Sequence, residues 1–505
     1  MISHRQVLGA AGLALLGTVL SISACSSDDD ATGGTNNLTG DACGPAVDTD
    51  GSAAGDGGAT GPAAATGGKL FIIGGAVTDQ SIIWNRVLTE GGGAANVHFL
   101  VVTAATSLVT SNFAYYKDVL NRLNGVSLDN IRQLQVGDQD DEASKFIDES
   151  SWRDGADAPD QIAAVRDWAT VVWFAGGDQA HIMSTFVNPD GSDRGVTKAI
   201  REKLAAGKLI VAGTSAGAAI MSNPMIGEGD PYKSWLNAPR YTRFYEDKET
   251  DGGVYNAINA TYLNQGLGFL NATSNVMIDT HWFQRARLAR TIRAIDFASS
   301  PDSLPPNGLN PKMKVGLGIG ENTGILIDTA TGIGEVVGDP DASWVAVMDM
   351  NGATTNGMNN PYSGENIRVG YLGVRDRFTL PTDANPSGVF LHEASKTRYL
   401  PCNGARNIAP ITGDLFVSGG YVDALQNLLD GPAVPANTPC RVEGFGSRVS
   451  GGNSGNGQPF QVSGFFFRFT ADAKTREFYS DSWGWEIENA IMRFGTGTGT
   501  YTPPF

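Results

Sequence analysis

The sequence predicts an α/β fold: a mostly parallel sheet with helices on both faces and a nucleophile elbow, followed by a small β-rich C-terminal module. Short apolar runs recur at Leu70-Phe71-Ile72-Ile73, Val97 to Val102, Val171-Val172-Trp173-Phe174 and Leu209-Ile210-Val211-Ala212. Strands apolar along almost their whole length are buried on both faces, as parallel strands are. Helical patterns such as Phe113 to Leu123 and Val196 to Ala205 lie between them, the alternation of a sheet covered on both sides. A Gly-Thr-Ser-Ala-Gly turn, Gly213 to Gly217, follows the fourth run directly.

The chain begins with a segment that reads as an address. His4 and Arg5 precede an apolar stretch from Val7 to Ile22, which is short and Gly-containing for a membrane span. Ile22-Ser23-Ala24-Cys25 has the form of a bacterial lipobox, so residues 1–25 are expected to be a lipoprotein signal peptide with Cys25 as the lipidation site. An ordinary signal peptide with a chance cysteine is the alternative; the polar stretch that follows at once favours the lipidated form. The protein is thus expected to be exported and lipid-anchored to the cell envelope, at the outer membrane or cell surface, or else secreted. A lipid membrane is its expected partner through that anchor.

Residues 26–67 are dominated by Gly, Ala, Thr, Asp and Ser. They cannot bury enough apolar surface to offset chain entropy and are expected to form a flexible tether. Asp48-Thr49-Asp50-Gly51 begins like a calcium loop but lacks the later ligands. The apolar texture starts at Lys69, and a catalytic domain is expected over 68–350, with further strands near Asn275 to Ile278, Lys314 to Ile319 and Ile325 to Ile327. From about Asn351 Gly, Asn, Pro and Thr increase and short β-like runs such as Gly464 to Phe469 appear, so 351–505 is expected to be a β-rich extension of unknown role. A chain of 505 residues is long for a single core.

Composition narrows the function. The formal charge is −17, from 36 Lys and Arg against 53 Asp and Glu, which argues against a nucleic-acid partner. Of the four cysteines, Cys402 and Cys440 are the natural disulfide pair in an exported chain. Cys43 has no assigned role, and no cysteine has metal-ligand spacing.

The turn at Ser215 is G-x-S-x-G between a strand and the helical stretch Ala218 to Met221, the context a nucleophile elbow requires. The hydroxyl then projects at a helix N-terminus, where the Ala216 N–H can help hold an oxyanion. Five histidines are available as a base. His4 lies in the signal segment and His98 inside a buried strand, leaving His181, His281 and His392. The triad order of an α/β-hydrolase would choose a late histidine such as His392. His281 is favoured, because Asp279-Thr280-His281-Trp282 closes a predicted strand at the end where parallel sheets carry their chemistry, and opens a helix.

Four motifs now stand in order: Gly176-Gly177-Asp178-Gln179, the elbow Gly213 to Gly217, Asp279-Thr280-His281 leading into Gln284 to Arg290, and Gly318-Ile319-Gly320-Glu321-Asn322-Thr323. Together, over roughly residues 69 to 340, they resemble the cyanophycinases, of the peptidase family that also contains the α-aspartyl dipeptidases. The resemblance implies a class I glutamine amidotransferase-like fold. It also implies hydrolysis of cyanophycin, a poly-aspartate with arginine on each β-carboxyl, to β-Asp-Arg, using Ser, His and Glu without metal or cofactor. On it Ser215 is the nucleophile, His281 the base and Glu321 its orienting carboxylate. Gly177 and Asp178 would supply the second oxyanion N–H, and Gln179 would line the pocket.

Arg287 and Arg290, three apart, would share a helix face and anchor substrate carboxylates; a solvated basic row continuing to Arg293 is the alternative. Arg285 points elsewhere on the wheel, but with Thr280 it too is a candidate substrate-binding residue. Asp279 is expected to receive the substrate's arginine, to position the pocket, or to cap the helix. Two positions depart from the family: Thr280 where Gln is common and Gly320 where Asp is common, which puts substrate choice in doubt. The aromatic stretch from Gly227 to Leu270, with Tyr232, Trp235, Tyr241, Phe244 and Tyr245, is expected to be a lid, a groove wall or a surface insertion. A related serine peptidase on other Asp-containing peptides, and an inactive polymer-binding lipoprotein, are the rival functions. A homodimer is compatible with the sequence.

Overall fold

The computed structural model describes residues 67–241, 261–272, 274–300, 310–340 and 342–399, and beyond these 411–414, 420–429, 441–446, 460–472, 474–480, 482 and 484–501. The expected signal peptide, Cys25, the tether up to residue 66, and Cys43, Cys402 and Cys440 lie outside the described residues, as do Phe244 and Tyr245.

Five apolar runs form β1 (Lys69–Ile73), β2 (Phe99–Val102), β3 (Ile131–Leu134), β4 (Val171–Phe174) and β5 (Ile210–Thr214). They pair in parallel in the order β1-β5-β4-β2-β3. Successive side chains alternate between two cores, because strand residues point to opposite faces. Leu70, Ile72, Leu100, Val102, Val172, Phe174 and Val211 enter one core, covered by the helices Gln179–Phe186 and Gly195–Ala205. Phe71, Ile73, Phe99, Val101, Val171, Trp173 and Ala212 enter the other, under the helices Ile82–Glu90 and Val109–Asp118. This is the expected α/β arrangement.

Beyond β5 come β6 (Met225–Glu228), β7 (Arg240–Tyr241) and β8 (Tyr262–Asn264), a small sheet in the order β6-β8-β7. Then follow β9 (Val276–Asp279), β10 (Val315–Ile319), β11 (Thr323–Asp328), β12 (Ile333–Gly338) and β13 (Val345–Asp349). β11 pairs antiparallel with β1, and β12 with β11. The later strands Arg377–Thr379 and Val389–Leu391 extend that edge, so the first sheet has nine strands, parallel on one half and antiparallel on the other.

β9 and β10 pair in parallel with each other but belong to a second sheet, continued through β13 to Gly364–Leu372, Gly484–Tyr501 and Phe460–Thr470. The β-rich C-terminal region therefore joins, through β13, the sheet that holds the strands preceding His281 and Glu321. Tyr371, Phe467, Phe469, Ile487 and Met492 share one core with the helix Leu288–Ser299.

Candidate active site

The candidate triad and Gly177 sit just past strand ends. Ser215 follows β5, His281 follows β9 by two residues, Glu321 follows β10 by two, and Gly177 follows β4 by three. Ser215 adopts φ 53°, ψ −111°, a strained backbone that turns its hydroxyl out of the sheet. The turn works because its flanks are bare: a Cβ at Gly213 would meet the Gly217 carbonyl oxygen at 2.0 Å, and one at Gly217 the Phe174 carbonyl oxygen at 2.3 Å.

The Ser215 Oγ lies 2.7 Å from His281 Nε2, and His281 Nδ1 lies 2.7 Å from Glu321 Oε1. With the Nδ1 proton donated to the carboxylate, Nε2 is left to accept from the serine. Burial, then the Arg285 charge, push the imidazole down to about 4 against the pull of Glu321. The base is thus neutral at physiological pH. The other histidines are elsewhere: His181 meets Asp138 at 3.0 Å, His392 stacks on Phe478, and His98 on Trp168.

The end of the central strand β1 holds Ser215, His281 and the neighbour of Glu321, a role that sequence reading passes over. The Ile73 carbonyl accepts the Ser215 N–H (3.0 Å), Gly74 the His281 N–H (2.8 Å) and Gly75 the Asn322 N–H (2.8 Å). Gly75 has φ +121°, and a Cβ there would lie 2.2 Å from His281 Cε1, so only glycine lets the imidazole settle against the backbone. The Gln284 Oε1 accepts the Glu321 N–H at 3.0 Å, a second positioning contact missed in the sequence.

Two backbone donors point to an oxyanion site. The N–H groups of Ala216 and Gly177 have no hydrogen-bond partner among the described residues, and both residues line the pocket at Ser215. The Asp178 N–H is committed to the Ala105 carbonyl at 2.7 Å, and its carboxylate caps the helix Gln179–Phe186 by accepting from Ala180 N. Asp178 is therefore no oxyanion donor. Gln179 does line the pocket, with its amide donating to the Gly227 carbonyl.

The pocket, of about 220 Å³, is walled by Ile226, Gly227, Glu228, Thr280, Arg285, Arg287 and Arg290. Asp279 is 2% exposed and takes Arg290 (Nε to Oδ2, 2.8 Å), Arg287 (3.2 Å), Thr291 Oγ1 (2.8 Å) and the Thr280 N–H (2.9 Å). Against the upward push of burial, Arg290 and Arg287 hold its carboxyl below the usual range. It positions two arginines; with both oxygens engaged it does not receive a substrate guanidinium, and it caps no helix. The expected helix at His281 begins only at Leu288, with Arg287 as its N-cap and turns between. Burial and Arg290 push Arg287 down to about 9, which leaves it charged at neutral pH.

Arg290 also donates to the Gly229 carbonyl (3.0 Å), and Thr280 Oγ1 accepts from Arg287 (3.3 Å). Arg293 continues no solvated row. It is fully buried over the Tyr362 ring and donates to the Gly357 carbonyl at 2.6 Å. Arg285, off the expected face, is exposed in the pocket, and its guanidinium has no partner among the described residues. Trp235 is fully buried against Phe467 and Phe494, so this part of the aromatic stretch docks into the C-terminal sheet.

No family model matches the chain. Among curated proteins it is 29% identical over 225 residues to the cyanophycinase of Trichormus variabilis, a match covering 44% of this chain and 60% of that protein. The cyanophycinase of Nostoc sp. matches to the same extent, and that of Synechococcus elongatus at 28% over 234 residues, covering 45% and 59%. The chain is thus similar to the cyanophycinases and spans about 60% of the length of the curated relatives it matches. Among solved structures, a peptidase from an acI-B1 Actinobacterium aligns over 57% of this chain and 93% of its own, at TM-score 0.37 and 18% identity.

Proposed function

We propose that this protein is a serine peptidase that hydrolyses the aspartate backbone of cyanophycin to β-Asp-Arg through an acyl-enzyme. The observation that carries the reading is the unbroken chain Ser215–His281–Glu321, at 2.7 Å and 2.7 Å, beside two N–H groups without partners among the described residues. The similarity to cyanophycinases supplies the substrate class.

Ser215 Oγ attacks the carbonyl carbon of an Asp–Asp amide while His281 Nε2 takes its proton. Negative charge on the former carbonyl oxygen meets the Ala216 and Gly177 N–H groups, which need no reorganisation to receive it. Glu321 stabilises the imidazolium. Collapse breaks the C–N bond, and His281 returns the proton to the leaving amine. Water then repeats the sequence on the ester, releasing the new carboxylate and free Ser215. Arg285 offers a guanidinium to a substrate carboxylate.

The activity belongs outside the cell: the lipobox at Cys25 and the polar stretch after it support an anchored enzyme that meets an insoluble polymer released by other cells. A second reading, hydrolysis of other Asp-containing peptides, rests on Thr280, whose short side chain is held by Arg287 where the family commonly has Gln. Incubating the protein and its Ser215→Ala variant with cyanophycin and with α-linked Asp peptides, followed by mass spectrometry, separates the two. β-Asp-Arg from the wild type alone is expected. Cleavage only of α-linked peptides would transfer the assignment to the second reading.

A further inference from the structure

Away from the catalytic pocket, three ionisable side chains meet inside the protein: Asp376 is 0% exposed, Lys396 5% and Glu486 0%. The Lys396 Nζ sits 2.5 Å from Asp376 Oδ2, with both side chains fully enclosed. Two backbone groups donate to the same carboxyl, the Glu393 N–H to Oδ1 (2.9 Å) and the Gly373 N–H to Oδ2 (2.7 Å). No N–H or O–H among the described residues reaches either oxygen of Glu486. Its contact is with the Asp376 carboxyl, and two carboxyls hydrogen-bond only when one of them keeps a proton. Burial and the Asp376 charge push Glu486 well above the ordinary carboxyl value, so the proton stays on Glu486. Phe478, its direct cross-strand partner, is 3% exposed and gives the cluster an apolar flank.

A buried ion pair is a poor stabiliser, because the hydration both charges lose offsets most of their attraction. An amide between the same two side chains carries no charge. In water the ionised pair is favoured over amide plus water; inside the protein it loses that advantage. Here an amine is held against a carboxyl, two N–H groups polarise that carboxyl, and a protonated acid stands beside it.

We propose that Lys396 and Asp376 become joined by an intramolecular isopeptide bond, with Glu486 as the acid that serves its formation. Lys396 first passes a proton to Asp376, leaving a neutral amine and a neutral carboxyl. The Nζ lone pair then forms the N–C bond at Asp376 Cγ. Glu486 gives its proton to the departing hydroxyl, the C–O bond breaks and water leaves. The proton lost by Nζ returns to Glu486. Ammonium and carboxylate thus become amide and water, with no change of oxidation state and no co-reactant. Asp376 directly precedes the strand Arg377–Thr379 of the first sheet. Lys396 directly precedes Thr397–Tyr399, which pairs with Arg476–Ser480 of the second. The bond therefore staples one sheet to the other and, unlike a disulfide, needs no oxidant.

The test is a peptide map of the purified full chain, denatured and digested with chymotrypsin. Cuts after Leu372, Phe378, Leu391 and Tyr399 separate Asp376 from Lys396. The bond then shows as residues 373–378 joined to residues 392–399, one water lighter than the two peptides together. That branched peptide is expected from the wild type and not from Lys396→Arg. Glu486→Gln, shown to be folded by circular dichroism, should lose it too, since general acid–base assistance is worth about a hundredfold or more in rate. The two peptides recovered only separately from the wild type overturn the bond, whether or not the variants fold. A branched peptide formed in full by Glu486→Gln overturns the role of Glu486.

Discussion

The low value of His281, about 4, has a sign that can be tested. Burial and Arg285 disfavour the imidazolium, while Glu321 favours it, so the free enzyme's base is competent at every pH above about 5. Removing the nearby cation in Arg285→Gln should move the acid limb of kcat/KM upward, toward the ordinary histidine value of about 6.5. Glu321→Gln should move it the other way while cutting the rate by orders of magnitude. A pH–rate profile of each variant checks both directions. The same depression means the folded protein binds fewer protons than the unfolded chain between those values, so this contribution to stability is lost as pH falls through about 6.5 to 4. Asp279→Asn would leave two arginines without their carboxylate in a largely buried site and should cost about 3–5 kcal/mol in denaturant unfolding. At this scale Ser215, His281 and Glu321 are legible because each closes a strand within a distinctive motif. Asp279 and Arg293 are not, since spacing places an arginine beside a carboxylate or on a helix face without telling which way the pair turns.

Among the elements, the turns after β5, β9 and β10 carry the strain. Ser215, His281 and Asn322 all hold positive φ, at 53°, 49° and 48°, and the carbonyls of Ile73, Gly74 and Gly75 receive their N–H groups. Gly75→Ala would drive a methyl into the imidazole, and a displacement of that order costs about a hundredfold in kcat. The expected outcome is a folded protein, by circular dichroism, with that loss. Gly74-Gly75 is visible in the sequence as a strand stop, but its closeness to His281 is not, because residues 75 and 281 meet only through the pairing of distant strands. The helix expected at His281 fails for a local reason: His281 and Ala286 both take positive φ, at 49° and 49°, which interrupts a right-handed helix until Leu288.

For the whole described body, the two sheets divide the labour. The first carries Ser215 and the candidate oxyanion N–H groups of Ala216 and Gly177; the second carries His281 and Glu321 and extends into the C-terminal strands. The α/β class is readable from the apolar runs, whereas the assignment of β9 and β10 to a second sheet is not, since a buried strand looks the same in either. The C-terminal region buttresses the arginine-bearing helix: Tyr362 Oη and Thr355 Oγ1 donate to Asp296 at 2.8 and 3.0 Å, and Arg293 donates to the Gly357 carbonyl. Trp235→Ala, which empties a fully buried site between Phe467, Phe494 and Tyr362, should cost about 3–5 kcal/mol, read as a lowered denaturation midpoint. A chain truncated after residue 350 should fail to unfold cooperatively, because β13 then loses Gly364–Leu372, one of its two partner strands.

The central claim, that Ser215 is a nucleophile activated by His281, is tested most directly by labelling with a fluorophosphonate across pH and locating the adduct by peptide mass spectrometry. The expected result is a label on Ser215, absent in Ser215→Ala, strongly slowed in His281→Ala, and falling off only as pH drops toward about 4. A folded protein that takes no label at Ser215, or labels equally well without His281, would contradict it.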